Sequence, residues 1–74
     1  MKSDRQLREE APQVRYAFKV FGDNFLQQLG STMIHADIRD LRRIHDTWPK
    51  EWKLFLKIYI AYHEQLDKEA DDEA

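Results

Sequence analysis

Three histidines, fourteen carboxylates and no cysteine are the residues from which this chain could build a chemical site. The nearest approach to a working pattern is His63-Glu64-Gln65-Leu66-Asp67. It has the outline of a zinc-binding helix with two ligands one turn apart, Asp67 standing where a second histidine would be. Such a site also needs a third protein ligand from elsewhere, and His35 and His45 are each isolated in the sequence. Without cysteine, thiolate metal sites and disulfides are excluded. No glycine-rich phosphate loop, Ser-His-Asp set or matched carboxylate pair can be argued from spacing. The expectation is therefore no catalytic residue, no metal and no cofactor.

Two other groups invite a chemical reading. Tyr59, Tyr62 and His63 combine an apolar body with a polar tip, a combination common at protein interfaces. Catalysis by them would need a nucleophile or carboxylate opposite, and none is supplied, so they read as an interface or core edge. Trp48-Pro49-Lys50-Glu51-Trp52 sets two tryptophans around a tight turn. That is a clamp on a short connection before it is a recognition pocket, and a buried indole N–H needs an acceptor.

The basic side chains concentrate at Arg39, Arg42 and Arg43, with Lys50, Lys53 and Lys57 further on. A short helix, a tight turn and a longer helix suggest a helix-turn-helix that binds nucleic acid. Asp37, Asp40, Asp46 and Glu51 interleave with these cations, however, and the following helix presents Leu54, Ile58 and Ile60. The arginines are candidates for contact with nucleic acid or an acidic partner, and the nucleic-acid regulator is the secondary reading.

The elements that must position these residues are helices. Val14, Phe18, Phe21, Phe25 and Leu29 recur at steps of four, three, four and four, one face of a helix. Pro12 suits the first turn of such a helix. The face stays in register through Gly22 and Gly30. The pattern predicts one long helix over residues 12–35, with Gly22 as the place for a bend; the other reading is a break there, capped by Asp23 or Asn24. Asp37 is an N-cap candidate for a short helix over 38–47, faced by Ile38, Leu41, Ile44 and Trp48. Pro49 then opens a third helix over 50–66. Residues 1–11 are polar apart from Leu7 and open to fraying. Residues 67–74 hold five carboxylates against Lys68 alone and are expected to be a disordered acidic tail. The fold class is all-α, a three-helix arrangement.

Seventy-four residues make a thin core, and with no disulfide or metal available, oligomerisation is the remaining support. The last helix is apolar around most of its girth, which implies burial on more than one side. Trp52, Leu54, Phe55, Ile58, Tyr59 and Tyr62 are the expected interface residues of a homodimer that also binds another protein. The apolar run 54–62 is too short to span a bilayer, and the charged first residues do not read as a signal peptide. A cytoplasmic protein is expected.

Phe25-Leu26-Gln27-Gln28-Leu29-Gly30, His35-Ala36-Asp37, Arg42-Arg43-Ile44 and Thr47-Trp48-Pro49-Lys50-Glu51-Trp52 follow one another in a succession that resembles small helical proteins encoded by bacteriophages and prophages. The likeness covers residues 21–56. It implies a phage or mobile-element accessory protein that binds a host or defence component, and it carries over no site residue.

Overall fold

The computed structural model describes residues 2–73, with side chains described through Leu66. Four helices account for almost all of it: α1 (Asp4–Phe21), α2 (Asn24–Met33), α3 (Ile38–Thr47) and α4 (Pro49–Glu73). The class is all-α. The three-helix arrangement is corrected to a four-helix bundle, because what reads as one helix over 12–35 is two helices and the first begins eight residues earlier.

The break falls at Gly22-Asp23. Gly22 is extended (φ −80°, ψ 165°), and its N–H still reaches the Phe18 carbonyl at 3.1 Å. Asp23 then caps α2, its carboxylate accepting from the Leu26 N–H at 3.0 Å. The conformation of Gly22 is open to any residue, but the space is not. A Cβ there would come within 2.6 Å of the Leu26 Cβ and would also meet the Phe18 carbonyl. The step of four that carries the apolar face through the corner joins Phe21 to Phe25, both exposed; the shared core is reached instead by Phe18 on α1 and by Leu26 and Met33 on α2.

At the other end, Ser3 and Gln6 form a capping box that starts α1 at Asp4. Leu7 and Ala11 then continue the buried face of Val14 and Phe18 at steps of four, three and four. Pro12 therefore lies inside α1 rather than in its first turn, on the exposed side.

α2 packs on α1, and Gly30 sits directly against it. A Cβ there would lie 3.1 Å from the Arg15 carbonyl oxygen and 3.2 Å from the Phe18 Cβ. Asp37 caps α3 by accepting from the Asp40 N–H at 2.9 Å. Trp48 ends α3 outside the helical region, at φ −126° and ψ 59°, consistent with the following Pro49 disfavouring α geometry there. Its carbonyl takes the first bond of α4 from the Trp52 N–H.

α4 runs alongside α1 in the same direction: Glu10 meets Trp52, Phe18 meets Phe55, and Phe21 meets Tyr62. The core between the helices is built on Leu7, Val14, Phe18 and Trp52, all sealed from solvent, with Leu26, Met33, Leu41, Ile44 and Phe55 around them. α4 continues as helix to Glu73, beyond Leu66 where its apolar pattern stops. The acidic tail expected over 67–74 has its side chains outside the described residues. No helix is long and apolar enough to cross a membrane among the described residues.

Candidate functional site

The six residues expected to form an interface separate into three groups. Trp52 and Phe55 are in the chain's own core. Tyr59 and Tyr62 are half-buried against α1: Tyr16 meets Tyr59 edge-on at 5.8 Å and Tyr62 at 6.3 Å, while Phe21 meets Tyr62 at 5.5 Å. His63 stacks on Tyr59 at 4.2 Å. Ile58 is half-buried, and Leu54 stands 53% exposed with Ile60 at 45%. Among the described side chains of α4, the Leu54–Ile58 side, Ile60 on its other side and Leu66 are thus left for a partner.

This packing defines what the aromatic group can do. The Tyr16 phenol is pushed up from its ordinary range by the Tyr62 hydroxyl beside it, with burial and Tyr59 adding smaller effects. A phenol shifted that way is a weaker acid and keeps its proton at neutral pH, so little phenolate is available to act as a base. His63 belongs to the aromatic stack, and Asp67, its partner in the zinc-like reading, lies outside the described side chains. His35 lines a groove, and His45 holds Asp46 at 3.0 Å with its ring edge-on to Trp52. Among the described residues no three metal-capable side chains meet.

The three arginines are not equivalent. Arg42 donates to the Asp4 carboxylate at 2.6 Å and to the Lys2 carbonyl at 3.1 Å, tying the start of α1 to α3. Arg39 and Arg43 are exposed. They stand one turn apart on α3, so a basic surface of two residues remains where the sequence shows three.

Near Arg43 lies a feature that sequence reasoning missed. The turn between α2 and α3 leaves a half-open groove of about 470 Å³. Leu29, Ala36, Ile44 and Trp48 give it an apolar floor, and Thr32, His35, Asp40, Arg43 and Thr47 form its rim. Phe25, 54% exposed, rests edge-on against Trp48 at 5.4 Å and extends the apolar surface. Each wall has a local cause. Leu29 follows from the phase that the Asp23 cap imposes on α2, and Ile44 and Trp48 are successive turns of the apolar face of α3. The signal that could have located it is the surplus on that face: Ile38 and Leu41 already serve the core side, while Trp48 ends the helix half-buried. Fusing α1 with α2 concealed the junction that creates the groove.

A second missed feature is Glu10. Its carboxylate accepts from the Trp52 indole N–H at 2.9 Å and from the Lys2 ammonium. Burial alone would raise its pKa; the Lys2 and Trp52 hydrogen bonds, with the nearby Lys2 and His45 charges, outweigh that and hold it below its ordinary value. This is the acceptor that a fully buried tryptophan requires.

Comparison with protein-family models, with curated proteins and with solved structures gave no match.

Proposed function

We propose that the chain is a non-enzymatic protein-interaction module that takes a partner segment in the α2–α3 groove and associates with a second copy through α4. The groove is the observation that carries the first part. It is concave, apolar at the floor and polar at the rim, the composition that binding pockets share. Its volume accommodates one or two large apolar side chains rather than a folded domain. Arg43, with Arg39 one turn away, favours a segment with a carboxylate beside its apolar anchor, read as a helix or strand laid into a groove. In the setting that the resemblance to phage-encoded proteins implies, that partner is a host or defence protein.

Support for the second part comes from Leu54 and Ile60, which the monomer leaves in water. A nucleic-acid role is weaker than before, because Arg42 is occupied by Asp4 and the rim includes Asp40.

The test is site-specific photo-crosslinking in lysate of the native host. Reactive side chains at Thr32 and at Thr47, on opposite walls, are expected to trap the same protein, and one at Arg8 on the exposed side of α1 is not. Arg43→Glu should lower both yields. No shared adduct, or an adduct indifferent to Arg43→Glu, would remove the groove as the binding site.

A further inference from the structure

The face of α4 turned away from the core carries charge in an ordered way. Lys50, Lys53, Lys57, Ile60, Glu64, Asp67 and Asp71 follow at steps of three and four, so they share one stripe of the helix. The stripe is basic through its first three members, apolar at Ile60, and acidic through its last three. Lys50, Lys53, Lys57, Ile60 and Glu64 are all exposed. Turned end for end about Ile60, the stripe is complementary to itself.

Beside it runs a second stripe, Leu54, Ile58, Ala61 and Gln65, at steps of four, three and four. Reversed about a point half a residue before Ile60, within the stagger of two packed helices, Ile58 meets Ala61 and Leu54 meets Gln65. A large side chain then faces a small one at the middle of the seam, which lets two helices approach closely.

A third observation concerns the end of α4. The helix continues to Glu73 with no basic residue in its last turn. Asp67, Glu69, Asp71, Asp72 and Glu73 therefore lie at the negative end of the helix dipole, where carboxylates are unfavourable. Cations from outside the chain's own last turn would offset that cost.

We infer that α4 pairs with α4 of a second copy in antiparallel register centred on Ile60, Lys57 facing Glu64, Lys53 facing Asp67 and Lys50 facing Asp71 of the other chain. This rests on the reading that the chain self-associates, and it fixes the arrangement. A two-fold axis through Ile60 makes the contact isologous and closed, so assembly stops at two. A parallel pair would set lysine beside lysine and carboxylate beside carboxylate, the repulsion that selects against wrong registers. The α4 stripes share no residue with the α2–α3 groove, so the dimer carries two grooves.

The absence of cysteine provides a clean background for the test. Single cysteines are introduced into the full chain and treated with a short bis-maleimide, with mass followed by light scattering. Ile60→Cys is expected to link to itself. Lys53→Cys is expected not to, because antiparallel copies of residue 53 lie fourteen positions apart, about 21 Å at 1.5 Å per residue. Mixed with Asp67→Cys, it should link efficiently. The exposed double variant Lys53→Glu/Lys57→Glu should weaken the dimer about tenfold or more, since each reversal acts twice across the axis. Mixing it with Glu64→Lys/Asp67→Lys should restore association. Self-linkage of Lys53→Cys as readily as Ile60→Cys would overturn the antiparallel register while leaving self-association standing. A monomeric mass, with no linkage above an Arg8→Cys control, would overturn both.

Discussion

The hydrogen bond between Trp52 and Glu10 predicts a specific and separable loss of stability. The indole is 1% exposed, and its one donor ends 2.9 Å from a Glu10 carboxylate oxygen. Glu10→Ala removes the acceptor and leaves that N–H buried without a partner, a cost of about 2 kcal/mol, as expected for a bond to a charged group. Against a total of about 4–11 kcal/mol for a chain of this length, the change should lower the melting temperature by about 10 °C. Glu10→Gln keeps an oxygen at the same place but removes the charge, and should lose about half as much.

pH separates the wild type from both variants, neither of which titrates at this position. The folded carboxyl is held below its ordinary value of 4.5 because the Lys2 and Trp52 hydrogen bonds outweigh burial. A depressed carboxyl contributes stability above the unfolded value and loses it as pH falls through the folded one. The gap between wild type and Glu10→Gln should therefore be constant above about pH 5 and narrow on acidification below that. Urea denaturation followed by tryptophan fluorescence and by circular dichroism measures both effects. Equal losses for Glu10→Ala and Glu10→Gln, or a gap that does not change with pH, would refute the argument that the charged acceptor secures the indole.

Three further outcomes follow from the packing. Gly30→Ala gains about 1 kcal/mol of helix propensity, but its methyl would lie 3.1 Å from the Arg15 carbonyl oxygen, and backbone gives way less readily than a side chain. Overpacking of about 1–3 kcal/mol should win, so the urea midpoint is expected to fall, and to fall further for Gly30→Val. Pro12→Ala restores an N–H inside α1 on an exposed side, and after allowance for the looser unfolded chain it should raise stability by about 2 kcal/mol in a thermal melt. Arg42→Ala should release the start of α1, read as faster amide exchange at Gln6 and Leu7, with a global loss under about 1 kcal/mol because the Asp4 partner is largely exposed.

The helical class, the Asp37 cap and the limits of α3 are legible in the sequence because each depends on residues within one or two turns. The corner at Gly22 is not, because the apolar period continues through it in phase and periodicity alone cannot distinguish a straight helix from two helices facing one core. The start of α1 was obscured for a different reason. Pro12 is a strong local signal, and it was overridden by Leu7 and Ala11 finding the core and by Arg42 holding Asp4 from 38 positions away. The groove and the Glu10–Trp52 pair belong to the same class: each joins segments whose adjacency only the turn geometry decides. The apolar excess of the last helix was visible, but its direction was not. Trp52 and Phe55 face α1, which leaves Leu54, Ile60 and Leu66 as the large apolar side chains of α4 still in water.

That residue of unmet burial has a consequence for the end of α4. α1 stops at Phe21, whose ring meets Tyr62, and the next described residues, Glu64, Gln65 and Leu66, are exposed. Among the described side chains, His63 to Leu66 thus stand exposed beyond the end of α1, and a free helix shorter than about 12–15 residues is marginal in water. Acidic residues at the negative end of the dipole weaken it further. If the lysines of a second copy supply the compensation, amide protection over these turns should rise with protein concentration, while protection at Val14, Phe18 and Trp52 stays level. Added salt should reverse the rise, since the exposed ion pairs are screened. Protection that is identical at nanomolar and submillimolar protein would mean that α4 holds its last turns unaided, and the electrostatic argument for the antiparallel pair would lose its third support.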